Sequence, residues 1–213
     1  MFKFFSARSL IYVLLSGVSL SGANLPALAQ LALLHSPIDA LPVEERINLQ
    51  QGKPVVTGEN GSYTARILID ATPSQAWSVL TDYSNYSQFM PNVTASSILE
   101  ARGDRRIFEE VDRYRVAPLV TVKARTRLAV TEIPQSSFNF QMIDGKLQEL
   151  HGSWTIQPVS IYPGDPITQI LLTQEIHAQP RSITPKGLFY NIFRRHVEET
   201  MKAVRQEIKR RSS

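Results

Sequence analysis

The stretch from Thr184 to Arg210 constrains this chain most. Leu188, Phe189, Ile192, Phe193, Val197, Met201, Val204 and Ile208 recur at the three- and four-residue spacing that gathers side chains on one face of a helix. Thr184 suits an N-cap, and Pro185 suits the first turn, where no amide partner is needed. At 1.5 Å per residue the helix runs to roughly 39 Å, well beyond three or four turns, so its apolar stripe requires an equally long partner surface. Arg194, Arg195, Glu198, Glu199, Lys202, Arg205, Glu207 and Lys209 lie off that stripe and are expected to meet water, with Glu198 and Lys202 spaced for an i,i+4 ion pair.

The partner surface has to come from upstream. Val55-Val56-Thr57 and Tyr63 to Ile69 flank Gly58-Glu59-Asn60-Gly61, where Asn-Gly signals a hairpin turn. Thr72 and Pro73 then open a helix with Ala76, Trp77, Val79 and Leu80 on its inner side. A second short helix follows from Tyr83 to Phe89 and is ended by Pro91. From Asn92 to His177 the period changes to two, and turn-like clusters divide the stretch into six strands, one break falling at Tyr162 to Asp165. The clearest strand alternates Val120, Val122, Ala124, Thr126, Leu128 and Val130 against Thr121, Lys123, Arg125, Arg127 and Thr131. Phe138, Phe140 and Met142 continue its dry side, followed by Leu150, Gly152, Trp154 and Ile156, where the glycine marks a bend. This order gives an α+β domain: a curved antiparallel sheet of about seven strands, two short helices after the opening strands, and the long helix laid across the concave side.

The other end of the 213-residue chain reads as an address. Lys3 and Arg8 precede an apolar run from Leu10 to Leu20, and Ala27-Leu28-Ala29 offers small residues at signal-peptidase spacing. Residues 1–29 are therefore expected to be a cleaved leader, 30–52 a surface lead-in with a short helix over Val43 to Gln50, and 53–213 the functional domain. The run falls short of the roughly 20 apolar residues that a membrane span needs, so a retained anchor is the second reading. The chain has no cysteine, which excludes disulfides, thiol chemistry and lipid attachment through a lipobox. Removing Lys3 and Arg8 from the 23 basic residues leaves 21 against 19 acidic ones, a charge of +2, which is no nucleic-acid signature. Basic residues gather late, at Arg194, Arg195, Lys202, Arg205, Lys209, Arg210 and Arg211, where a helix face is able to lean on an anionic membrane.

Ala71-Thr72-Pro73-Ser74-Gln75-Ala76-Trp77, then Asp82-Tyr83, Tyr86, Phe89-Met90-Pro91-Asn92-Val93 and Gly152-Ser153-Trp154, resembles the START-like helix-grip (SRPBCC) superfamily, in the branch of polyketide cyclase/dehydrase and coenzyme Q-binding proteins. The resemblance spans roughly Tyr63 to Lys209. It implies a sheet gripping a C-terminal helix around a cavity for lipids, polyketides or isoprenoid quinones.

Catalytic signatures are absent from the sequence: there is no phosphate loop, nucleophile elbow or His-Glu-x-x-His, and His35, His151, His177 and His196 are widely separated. No metal, cofactor or catalytic residue is expected. The ligand-binding candidates are Tyr83, Tyr86, Phe89, Met90, Phe140, Met142, Trp154, Phe189, Ile192 and Phe193, since methionine adapts to irregular guests and tyrosine joins an apolar ring to a polar handle. Two acid–base alternatives bear on catalysis. Glu175 and His177 share a face with Leu171, and Glu109, Asp112, Arg113 and Arg115 are able to hold a buried ion pair at a pocket floor. The expected function is an exported carrier, in a periplasm or thylakoid lumen, for a lipid or isoprenoid quinone. The alternative is an aromatase/cyclase or lyase on a small hydrophobic substrate.

Overall fold

Eight strands form one antiparallel sheet in a computed structural model that describes residues 36–117, 120–160, 168–181 and 185–213. Strands β1 (Val55–Glu59) and β2 (Ser62–Ile69) are joined at Asn60-Gly61, whose φ values of 54° and 90° are the left-handed pair that a type I′ hairpin turn requires. Strands β3 (Val93–Arg102), β4 (Arg105–Ala117), β5 (Val120–Ile133), β6 (Ser137–Asp144), β7 (Glu149–Val159) and β8 (Gln169–Gln179) follow as a meander. The spatial order β1-β2-β8-β7-β6-β5-β4-β3 closes when the last strand pairs with β2, Tyr63 opposite Ile176 and Ile67 opposite Leu172. The sheet therefore has one strand more than the seven expected.

Helix α1 covers Val43–Gln50, and α2 covers Pro73–Leu80. Thr72 caps α2: its hydroxyl accepts from the Gln75 amide at 3.3 Å while its own amide donates to Gln75 Oε1 at 2.8 Å, a reciprocal capping box. The expected second helix is divided into a 3₁₀ turn at Tyr83–Asn85 and a single α turn, α3, at Tyr86–Phe89. Helix α4 runs from Lys186 to Ser212, 27 residues, with Pro185 at the N-cap rather than inside the first turn. The expected leader, the Tyr162 to Asp165 turn and the Thr184 cap lie outside the described residues.

The main core lies between the concave face of the sheet, α2 and the second half of α4, where Val197, Met201, Val204 and Ile208 are buried. A smaller cluster sits on the convex face. There Leu49 of α1 packs on Leu68, Val159 and Leu171, and Glu45 pairs with Arg66 at 3.1 Å. Residues that read as a surface lead-in thus cover part of the sheet. Two further readings of α4 change. Leu188 is 52% exposed, because the first half of the helix spans an open space instead of resting on the sheet. Glu207 is 7% exposed and takes Arg210 and Arg211, each at 2.7 Å, while Arg211 reaches on to Asp82 at 2.8 Å. The helix side turned toward α2 is wrapped as well as the stripe.

Gly152 also plays a different part from the bend assigned to it. It keeps regular register with Phe140 on β6 and Ile176 on β8. A Cβ at this position would stand 2.2 Å from the Glu175 carbonyl oxygen and 2.7 Å from Phe140 Cζ, so the glycine permits close approach.

Candidate functional site

The space under the first half of α4 is a cavity of about 660 Å³. Because side chains alternate along a strand, each strand sends every second residue into it. Phe108, Glu110, Asp112 and Tyr114 come from β4, and Val122, Ala124, Thr126 and Leu128 from β5. Phe138 and Phe140 of β6, Leu150 and Trp154 of β7, and Gln174 and Ile176 of β8 complete the sheet side. Helix α4 closes it with Leu188, Phe189, Ile192, Phe193, His196, Val197 and Thr200. Val122 at 40% exposure and Leu188 at 52% mark the side open to solvent.

Seven of the ten expected ligand-binding residues lie on this wall: Tyr86, Met90, Phe140, Trp154, Phe189, Ile192 and Phe193. Tyr83, Phe89 and Met142 are not among its lining residues. Tyr83 is 2% exposed, stacks on Phe108 at 4.7 Å and donates its hydroxyl to Glu132 at 2.9 Å, which places it behind the wall. Phe89 packs edge-on to Tyr86 and lies under the Arg211 guanidinium, on the far side of α3. Met142 is partly buried against the core beside Gly145. The polar handles expected of the tyrosines are engaged elsewhere, since the Tyr86 hydroxyl donates to the Leu80 carbonyl.

Strand parity turns Glu175, His177, Glu109 and Arg113 away from the cavity and leaves Asp112 on its wall. Glu175 is exposed, and His177 lies on the convex side, sharing a 2.7 Å hydrogen bond with Ser62 and stacking on His151 at 5.2 Å. Leu171 shares their face, but that face is the one under α1. Gln174 and Ile176 occupy the cavity side instead. On β4, Glu109 points outward to Arg127 at 2.8 Å and Arg113 is exposed, so among the described residues neither arginine pairs with Asp112 at the pocket floor. The side chain of Arg115 lies outside the described residues.

The wall residues that sequence reasoning passed over are Glu110, Tyr114 and Gln174, while Asp112 stands where a pocket-floor acid was expected. Asp112 is 5% exposed, and neither acid has a hydrogen bond or ion pair among the described residues. Burial raises both carboxyls toward neutrality, with the Asp112 charge adding to the effect at Glu110. Tyr114 is raised by burial and then by these two acids. His196 is lowered to about 4 by burial, which keeps its ring neutral, and its Nδ1 lies 3.3 Å from the Asn92 amide nitrogen. A signal was available: Phe108-x-Glu110-x-Asp112-x-Tyr114 puts two acids between two aromatics on one strand face. Outside the cavity, Glu149, His151 and His177 bring ligand-type atoms within 4.8 Å of one another on the convex face.

The family model described as polyketide cyclase/dehydrase and lipid transport matches residues 69–205. Among solved structures, a START superfamily protein from Mycobacterium smegmatis aligns at TM-score 0.59 and 14% identity, over 72% of this chain and 99% of that one. The STAR-related lipid transfer protein from Xanthomonas axonopodis aligns at 0.54 and 17%, over 73% and 90%. An aromatase/cyclase from a Streptomyces species aligns at 0.56 and 17%, over 70% and 94%. At such identities the likeness is one of fold. No curated protein matches this chain.

Proposed function

The chain belongs to the polyketide cyclase/dehydrase and lipid transport family, and from that premise we propose that it is an exported carrier holding a lipid or isoprenoid quinone between the sheet and α4. The observation that carries the proposal is the cavity itself. Its size lies in the range of small-molecule sites, and its wall is built mainly from aromatic and aliphatic side chains. A prenyl or acyl chain burying about 350 Å² gains roughly 9 kcal/mol at ~25 cal/mol per Å², against at least ~4 kcal/mol for lost freedom. Moderate affinity of this kind suits pick-up and release. Export rests on the leader reading of residues 1–29. No helix of the described residues is long and apolar enough to cross a membrane.

Contact with an anionic membrane is the weaker part of this reading. Arg194 donates to the Val56 and Gly58 carbonyls, Arg205 to that of Gly52, and Lys202, Arg210 and Arg211 to carboxylates. Arg195 and Lys209 would have to carry it. A second reading, a cyclase, is favoured by the presence of Glu110, Asp112 and His196 on the wall, the groups that proton transfer would need.

Solvent extraction of protein purified from its own host, followed by mass spectrometry, tests the carrier. A lipophile should co-purify in near-stoichiometric amount and be lost in Ala124→Phe, which fills the cavity from β5. A clean extract, with no binding of added lipids or quinones, removes the proposal. Turnover of a polyketide-like substrate would favour the cyclase.

A further inference from the structure

The polar groups of the cavity are unusual in kind. Glu110 and Asp112 stand two residues apart on the same face of β4, and among the described residues no basic side chain is bonded to either; once ionised, such a pair only accepts hydrogen bonds. A third acceptor points the same way from a different element. Gln174 on β8 is 6% exposed, lines the cavity, and has a buried Oε1 with no hydrogen-bond partner among the described residues. Unmatched buried acceptors are costly unless something that enters the site donates to them. A bound ammonium favours the ionised form of the acid pair, whereas a fatty acid or phosphate head, itself negative, opposes that ionisation and is repelled by it. A quinone head offers only acceptors of its own.

Resting on the carrier reading, we propose that Glu110 and Asp112 bind the protonated amine of a hydrophobic guest, so that the cargo is a lipid-like amine and not an acid or a quinone. The chain of the guest lies along Phe140, Trp154 and Phe193. Phe108 and Tyr114 flank the acids on β4 and line the cavity with them. Gln174 Oε1 takes a second donor further along the guest, such as a hydroxyl, because three strands separate β8 from β4 in the sheet.

The groups that bear on the pH dependence are few. Tyr86 and Tyr114 are uncharged at neutral pH and His196 is neutral. Lys146 and Arg181 also line the cavity, with Lys146 Nζ donating to the Lys123 carbonyl and Arg181 to the carbonyls of Gly145 and Lys146. An alkyl ammonium keeps its proton to about pH 10, so its binding follows the acids and strengthens as they ionise above neutrality.

The test uses the full domain and titration calorimetry with dodecylamine, dodecanol, dodecanoic acid and a decyl-substituted quinone, each below its aggregation limit. At about pH 9 the amine should bind roughly tenfold more tightly than the alcohol, or better still, with the gap closing near pH 5.5. Glu110→Gln with Asp112→Asn should abolish the gap, and a cooperative thermal transition of the variant reports a folded domain. Equal affinity for amine and alcohol, or an amine preference that survives the double substitution, overturns the inference and leaves the carrier standing. Failure of all four probes to bind defeats both.

Discussion

Gly152 shows how much a single position decides here. The Glu175 carbonyl and the Phe140 ring converge on the place where a side chain would begin, and Phe140 forms part of the cavity wall. A methyl group 2.2 Å from a backbone oxygen cannot be relieved by a rotamer change, so Gly152→Ala should shift β7 against β8 and lower stability by about 1–3 kcal/mol or more. Chemical denaturation measures this. A variant as stable as the parent would mean that the close approach is not maintained in solution. At this scale the sequence was legible for residues whose role follows from local chemistry: Thr72 as a cap and Asn60-Gly61 as a turn. It was less legible for Tyr83 and Phe89, which read as wall residues because helical spacing put them beside Tyr86. Helical spacing gives a face, but it does not say whether that face meets a cavity or another ring, and for Tyr83 it is Phe108.

Among elements, α4 carries two functions along its length. Its first half spans the cavity with Phe189, Ile192 and Phe193, and its second half is a packed core helix fastened at its end by Glu207. Hydrogen bonds from Arg210, and then Arg211, hold the Glu207 carboxyl down to about 2 against the opposing effect of burial. The unfolded chain titrates near 4.3, so the folded protein binds this proton less readily and the pair stabilises above that pH. The contribution is lost as pH falls from about 4.3 toward 2. Glu207→Gln should therefore melt below the parent at neutral pH, with the difference shrinking across that acid window. A difference that stays constant with pH would show that the carboxylate charge is not what fastens the helix end. The sequence placed Glu207 on the wet side because charge alone was counted. Its ion-pair partners are local, but Arg211 is in turn held by Asp82 and the Ser78 carbonyl, which are far away in the chain.

For the molecule as a whole, the cavity and the stability of the ligand-free protein are in opposition. Burial holds the Glu110 carboxyl up at about 8 and Asp112 at about 7, against ordinary values near 4. Between those limits the folded state keeps protons that the unfolded state releases, so stability is greatest at and below about pH 4 for these two groups and declines as pH rises toward 8. Thermal melts of ligand-stripped protein should show this decline, and Glu110→Gln with Asp112→Asn should flatten it. A parent protein equally stable across the range would mean that the two acids are solvated in the folded state. A bound cation would oppose the decline, which links this measurement to the identity of the cargo.

The sequence alone determined the element types and their order, because periodicity, caps and turn residues act over a few positions and do not depend on distant partners. It therefore gave the long helix, the Asn-Gly hairpin, the six-strand run and the α+β architecture. Only the tertiary structure decided that the first hairpin pairs with the last strand to make eight, that Leu49 closes the convex face, and that Glu110 and Asp112 look inward while Glu175 and His177 look out. These facts depend on strand parity relative to a curved surface and on contacts between residues far apart in the chain. A shift of one residue exchanges every inward side chain for an outward one, and that phase is fixed by packing against α4 and α1, which no local pattern encodes.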